Sequence, residues 1–295
     1  MNAREMGFLL LTSSLGDPQR KPLTVAQFRD LSRKASQMEV DFPDRELRDK
    51  DLLQLGYDRE MAQRIVSLLE DQVLLEHYIK RGMKKHCFPL SRISSGYPQT
   101  LRSRLGLEAP NLWFMGDMTL LDTPAVSLVG SRELKEENRE FAWEAGRQAA
   151  LQGYTLISGN ARGADREAQE SCLSAGGRVI SVVADSLDAQ QPEKNVLYLS
   201  EDGYDLRFSA TRALSRNRVI HALPTLGVFV AQCGLKTGGT WNGTEKNLRK
   251  GWSAVFCFAD GSTAQRELCD YGARAVSIAD LWDFYKLHTE KPSLF

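Results

Sequence analysis

Ala125-Val126-Ser127-Leu128-Val129-Gly130-Ser131-Arg132, then a helical stretch over 136–151, then Tyr154-Thr155-Leu156-Ile157-Ser158-Gly159, reads as strand, loop, helix, strand. The texture continues downstream. A helix is expected over 165–175, and apolar runs over 178–183, 226–230 and 254–258 read as further strands. These runs are predominantly apolar instead of alternating, as expected of strands covered on both faces. The expected fold class is α/β: an extended Rossmann-like, doubly wound, mostly parallel sheet preceded by a small helical domain. Ligands of such sheets bind outside the carboxyl ends of the strands, so the loops after each strand carry the search for a site.

Upstream, apolar residues at three and four spacing predict helices over 25–37, 45–53 and 59–81. Residues 1–85 are therefore expected to form a helical N-terminal domain, and residues 86–295 the Rossmann-like one. Leu52-Leu53-Gln54-Leu55-Gly56-Tyr57 followed by Met61-Ala62-Gln63-Arg64-Ile65 has the outline of a SAM or helix-hairpin-helix module, whose glycine-bearing turn can offer amides to phosphate; plain helical packing is the alternative. A last helix is expected over 280–287.

The chain has 295 residues with 38 Lys+Arg against 38 Asp+Glu, a formal net charge of zero that excludes coating nucleic acid or membrane by bulk charge. Any polyanion site must be local. Residues 205–250 hold eight basic residues (Arg207, Arg212, Arg216, Arg218, Lys236, Lys246, Arg249, Lys250) against Asp205 and Glu245, a local excess of six positive charges. The apolar run Phe8-Leu9-Leu10-Leu11 is too short for a signal core, and no stretch approaches a membrane span, so a cytoplasmic protein is expected. The five cysteines (Cys87, Cys172, Cys233, Cys257, Cys269) lack CxxC spacing and read as free thiols. His77, His86, His221 and His288 are scattered, with His221 read as a packed residue, and no metal site or cofactor is expected.

Gly130-Ser131-Arg132 offers a tight turn, a hydroxyl and a forked cation. Ser158-Gly159-Asn160-Ala161-Arg162-Gly163-Ala164-Asp165 brackets an arginine with glycines, places Asp165 to cap the next helix, and has the composition of an anion nest. Arg216-Asn217-Arg218 precedes the strand at 226, and Lys236-Thr237-Gly238-Gly239-Thr240 follows it. Phe208 and Trp241 are candidates for stacking on bases or for the core.

Taken in order, Val129-Gly130-Ser131-Arg132, Ile157 through Asp165, Ala175-Gly176-Gly177 and Ser215-Arg216-Asn217-Arg218-Val219-Ile220 resemble the DNA processing protein A (DprA/Smf) family. Gly96-Tyr97-Pro98 and Ala109-Pro110-Asn111-Leu112-Trp113 are similar to its lead-in, and the resemblance spans roughly residues 97–279. It implies a non-catalytic single-stranded DNA-binding protein, a homodimer, with a RecA-type recombinase as partner and a part in natural transformation and recombination. It also implies a phosphate pocket lined by Gly130, Ser131, Arg132, Ser158, Gly159, Arg162, Gly163, Arg216, Asn217 and Arg218, with Lys236, Thr237, Gly238, Gly239 and Thr240 in the loop beside it. The sequence departs from the family at Gln169, where a histidine is usual, at 184–188 and at 236–244, and no winged helix is expected after the Rossmann-like part. The rival readings are a nucleotide-binding protein without chemistry and a phosphoribohydrolase of the LOG group, in which Glu245 of Gly238-Gly239-Thr240-Trp241-Asn242-Gly243-Thr244-Glu245 would assist glycosidic cleavage, although it follows Gly243-Thr244 directly where that group's loop places it three positions after the Thr.

Overall fold

The computed structural model describes residues 1–38 and 47–289. Five helices come first: α1 (Ala3–Thr12), α2 (Val25–Ala35), α3 (Asp49–Gln54), α4 (Arg59–Glu70) and α5 (Gln72–Met83). α1 opens on a reciprocal cap, in which the Asn2 side chain accepts from the Glu5 amide and the Glu5 carboxylate accepts from the Asn2 amide. The stretch 59–81, expected as one helix, is two. Arg20 causes the break: its guanidinium donates to the Leu68 carbonyl at 3.0 Å and to the Asp71 carboxylate at 2.9 Å, satisfying the end of α4 from outside. The expected start of α3 at 45 lies outside the described residues, as does its lead-in.

Leu11, Leu31, Leu52, Ile65 and Leu68 make a small core among these helices. Leu9, Leu10, Leu75 and Tyr78 join the core of the sheet instead, where Tyr78 donates to Asp205 at 2.7 Å and stacks on Tyr204. The helical segment thus shares apolar packing with the sheet.

The remaining elements are β1 (Phe88–Leu90), α6 (Gln99–Leu105), β2 (Leu112–Met115), β3 (Ala125–Val129), α7 (Glu136–Leu151), β4 (Thr155–Ser158), α8 (Ala164–Ser174), β5 (Arg178–Val183), β6 (Val196–Glu201), α9 (Ala210–Ala222), β7 (Gly227–Val230), α10 (Gly238–Lys250), β8 (Ala254–Phe258), α11 (Thr263–Asp270), β9 (Arg274–Val276) and α12 (Phe284–Thr289). Among the described residues they build one 9-stranded sheet in the order β1-β2-β6-β5-β4-β3-β7-β8-β9. The seven strands from β3 onward pair in parallel, and β1 and β2 add an antiparallel margin beyond β6. The expected helix over 280–287 is a 3-10 turn (Ala279–Trp282) and then α12, because the Phe284 amide leaves the axis to donate to the Gln152 side chain at 2.7 Å.

Val126 and Leu128 pack on one face of β3 with Phe141, Ala145 and Ala168; Ala125 and Val129 pack on the other with Val219, Ile220 and Trp241. Both faces are covered, which is why the strand is apolar apart from Ser127, whose buried hydroxyl donates to the Ile220 carbonyl at 2.7 Å. α7 and α8 come unusually close because Gly146 has no side chain: a Cβ there would stand 2.1 Å from the Ala168 carbonyl. The chain steps outward from β3 through β6, then returns to β7 on the opposite side of β3. Strand order therefore reverses at β3, and the loops after β3, β4 and β7 part around that point.

Candidate anion-binding cleft

At the carboxyl ends of β3, β4 and β5, Arg132, Gly159, Arg162, Asp185, Phe208 and Arg216 line a cleft of about 190 Å³, with Asn160, Ala161, Ala184 and Ala213 completing its wall. Three guanidiniums from three separate loops or helices meet there against one exposed carboxylate, Asp185.

The loop after β4 is held from below by Asp165. Its carboxylate accepts from the Gly159 amide at 3.1 Å and the Ala161 amide at 3.2 Å. Asp165 lies inside α8, whose N-cap is Gly163, so it does not cap the helix as the sequence reading expected; it fastens the preceding loop. Two amides of the expected nest are consequently given to a protein carboxylate, and attraction for an outside anion falls to the arginines. Arg216 Nη2 stands 3.9 Å from Asp165, with side-chain exposures of 10% and 8%. Burial pushes the Asp165 carboxyl up and the Arg216 guanidinium down, and the attraction between them opposes both shifts. The guanidinium packs directly against Gly159, where a Cβ would be 1.4 Å from Nη1. Its Nε is buried without a hydrogen-bond partner. Arg132 and Arg162 are the solvent-facing counterparts at the mouth: both are exposed, and the Glu133 carboxylate stands 4.0 Å from Arg162.

Gly130 is needed for close approach more than for a turn, since a Cβ there would meet the Ala164 Cβ at 2.4 Å. Gly163 serves both purposes, with φ +86° and Arg132 and Ser131 carbonyls 2.4 and 2.5 Å from any added Cβ.

The other expected residues lie elsewhere. Ser158 is fully buried, and its Oγ accepts from Gln169 at 2.5 Å. The glutamine at the family's histidine position is thus a core partner of β4. Arg218 donates to Glu201 at 3.1 Å, and Lys236 pairs with Glu267 at 2.6 Å. The stretch expected as a loop over 236–240 is in fact the head of α10 from Thr237 on, and with Gly130, Ser131 and Asn217 it closes beside the cleft: Thr240 donates to the Gly130 carbonyl at 2.9 Å, Asn217 to the Gly239 carbonyl at 3.0 Å, and Ser131 to the Gln232 carbonyl at 3.2 Å. Thr237 and Gly238 sit exposed at the head of α10. The basic excess of residues 205–250 divides in two: Arg216 is buried and Arg212 and Arg218 are half-buried, while Arg207, Lys236, Lys246, Arg249 and Lys250 are exposed. Arg212 spans the Ala184 and Glu201 carbonyls and the Ser200 hydroxyl, and Arg249 faces Glu245 at 3.8 Å.

Trp241 is core, while Phe208 is 56% exposed on the cleft. Asp185 and Ala184 come from 184–188, a segment whose departure from the family pattern was the available signal. Glu245 lies in the body of α10 and is not part of the cleft. His221 is fully buried and held by Asn247; burial takes its pKa down to about 3, so it stays neutral. All five cysteines are free, and the described residues contain no cluster suited to a metal and no helix long and apolar enough to cross a membrane.

A doubly wound, mostly parallel sheet with an arginine-lined cleft at its strand ends defines a Rossmann-like α/β protein. The family model for DNA recombination-mediator protein A matches residues 89–285, and the chain belongs to that family. It is 31% identical over 141 residues to the DNA processing protein DprA of Streptococcus pneumoniae, covering 43% of this chain and 48% of that one. It is 26% identical over 201 residues to Protein Smf of Synechocystis, covering 62% and 49%. The chain therefore spans about half the length of these curated relatives. The X-ray structure of the Streptococcus pneumoniae DprA superposes with a TM-score of 0.70 at 25% identity, over 95% of this chain and 98% of that one. The Helicobacter pylori DNA processing protein A, whose structure concerns its single-stranded DNA binding mode, superposes with a TM-score of 0.56 at 26% identity, over 68% and 95%.

Proposed function

We propose that this chain holds single-stranded DNA in the cleft at the ends of β3, β4 and β5, performs no chemistry on it, and presents it to a RecA-type recombinase in the cytoplasm as a homodimer. One observation supports the DNA reading above others: two exposed arginines, Arg132 and Arg162, flank a fixed one, Arg216, beside the open ring of Phe208. Guanidiniums take phosphate oxygens through paired donors. An exposed ring adds stacking, worth about 1–3 kcal/mol per base and indifferent to sequence. A cleft of about 190 Å³ admits a phosphate and a base, and a duplex is far too wide for it. Arg216 acts as the floor charge, and the Asp165 clamp keeps the loop over it.

The test is an anisotropy titration with a labelled oligodeoxythymidine at several salt concentrations. Replacing Arg132 and Arg162 together by Ala is expected to weaken binding and to reduce the slope of log affinity against log salt by about 1.4, at roughly 0.7 per phosphate contact. Phe208→Ala should weaken binding by about 1–3 kcal/mol with the slope unchanged, since stacking releases no counterions. No binding by the unaltered chain at low salt overturns the proposal.

A further inference from the structure

A second concavity, sharing no residue with the cleft, lies between α1, α2 and the stretch 92–107 and encloses about 940 Å³. Its floor is apolar, built from Phe8, Leu11 and Phe28, with Ile93 and Leu107 on the far wall. Arg4, Arg29, Arg33, Arg92 and Arg102 surround that floor, and among the described residues no carboxylate lines it. Two acids that neighbour these arginines in the chain are engaged: Asp30 holds Arg33 and Lys34, and Glu5 accepts from the Asn2 amide. Arg92 and Arg102 are fixed, the former donating to the Leu107 carbonyl and the latter to the Arg92 and Ser94 carbonyls. Arg4 and Arg29 are exposed at the rim.

We infer that this groove docks an acidic peptide segment of another protein, one that carries an apolar or aromatic anchor among its carboxylates. Charge complementarity sets the sign of the partner, and the floor sets the anchor. A nucleic-acid strand fits less well, because a base needs an open ring face. Phe8 is buried with its ring edge-on to Phe28 at 4.9 Å, and the Arg92 guanidinium stands over both rings, 5.1 Å from Phe8 and 5.9 Å from Phe28. Guanidiniums pinned against an apolar wall supply paired donors for carboxylates without the cost of ordering them.

The full chain is titrated with a fluorescein-labelled nonapeptide of aspartates interrupted by one phenylalanine and one leucine. A peptide of equal charge with serines at those two places is the comparison. The anchored peptide is expected to bind about tenfold tighter than the serine one. Arg4→Ala combined with Arg29→Ala should weaken it by about tenfold, and Leu107→Ser, at an exposed position, should narrow the preference between the two peptides. Oligodeoxythymidine affinity should be unchanged in these variants, just as peptide affinity should be unchanged in the Arg132/Arg162 variant, so the groove and the cleft fail or succeed separately. Equal affinity for the two peptides, no binding of either, or loss of oligonucleotide in place of peptide on removing Arg4 and Arg29 overturns the inference.

Discussion

Asp165→Ala is expected to lower the free energy of unfolding by about 3–5 kcal/mol and to abolish tight oligonucleotide binding. Removing one member of a buried ion pair leaves the other charge without compensation, and the magnitude is set by that desolvated remainder. Here the remainder is Arg216, 10% exposed and already carrying a buried Nε without a partner. The same change strips the Gly159 and Ala161 amides of their shared acceptor. A double variant, Asp165→Ala with Arg216→Met, separates the two roles: it removes both charges, so most of the stability should return, while binding should not. Urea unfolding followed by circular dichroism measures the first quantity and anisotropy the second. A loss below about 1 kcal/mol for Asp165→Ala would show that the pair is not a stabilising clamp.

Gly163→Ala is the second large effect, expected at about 3 kcal/mol. Its φ of +86° and ψ of −131° lie in a region essentially restricted to glycine, at a cost of order 1–3 kcal/mol for any other residue. A Cβ would also stand 2.4 Å from the Arg132 carbonyl, backbone that can yield only by moving the loop carrying Arg132. Binding should fall together with stability. Gly176→Ala is the control, because φ there is +77° but nothing lies within 4 Å of the added carbon. It should cost about 1–2 kcal/mol, the price of the left-handed conformation alone, and leave binding intact. Equal costs at the two positions would refute the account of Gly163.

The fold was legible wherever both faces of a strand are buried. β3, β5 and β8 lie where their apolar runs stand, and α7 spans its expected 136–151. β6 was not legible, because the connection from β5 runs through 184–195 with only a 3-10 turn, Leu187–Ala189, and so breaks the strand–helix alternation. β1 and β2 are short and antiparallel, and their pairing is fixed by β6, itself missed. Within the site, the loop residues Arg132, Gly159 and Arg162 and the helical Arg216, all singled out in the sequence, line one cleft. Arg218 and Lys236 were not separable from them by residue type. Their carboxylates, Glu201 and Glu267, come from other elements, 17 residues away in one case and 31 in the other.

The order of apolar runs and glycine loops determined a doubly wound sheet and directed attention to its strand ends, because covering a parallel sheet on both faces leaves a mark in most of its strands. Which cations face solvent was decided only by the tertiary structure. A cation's partner is chosen by distance in space, and in this chain packing gives Arg212 and Arg218 to internal acceptors, pairs Lys236 with Glu267 at the surface, buries Arg216 on Asp165, and leaves Arg132 and Arg162 exposed at the mouth of the cleft.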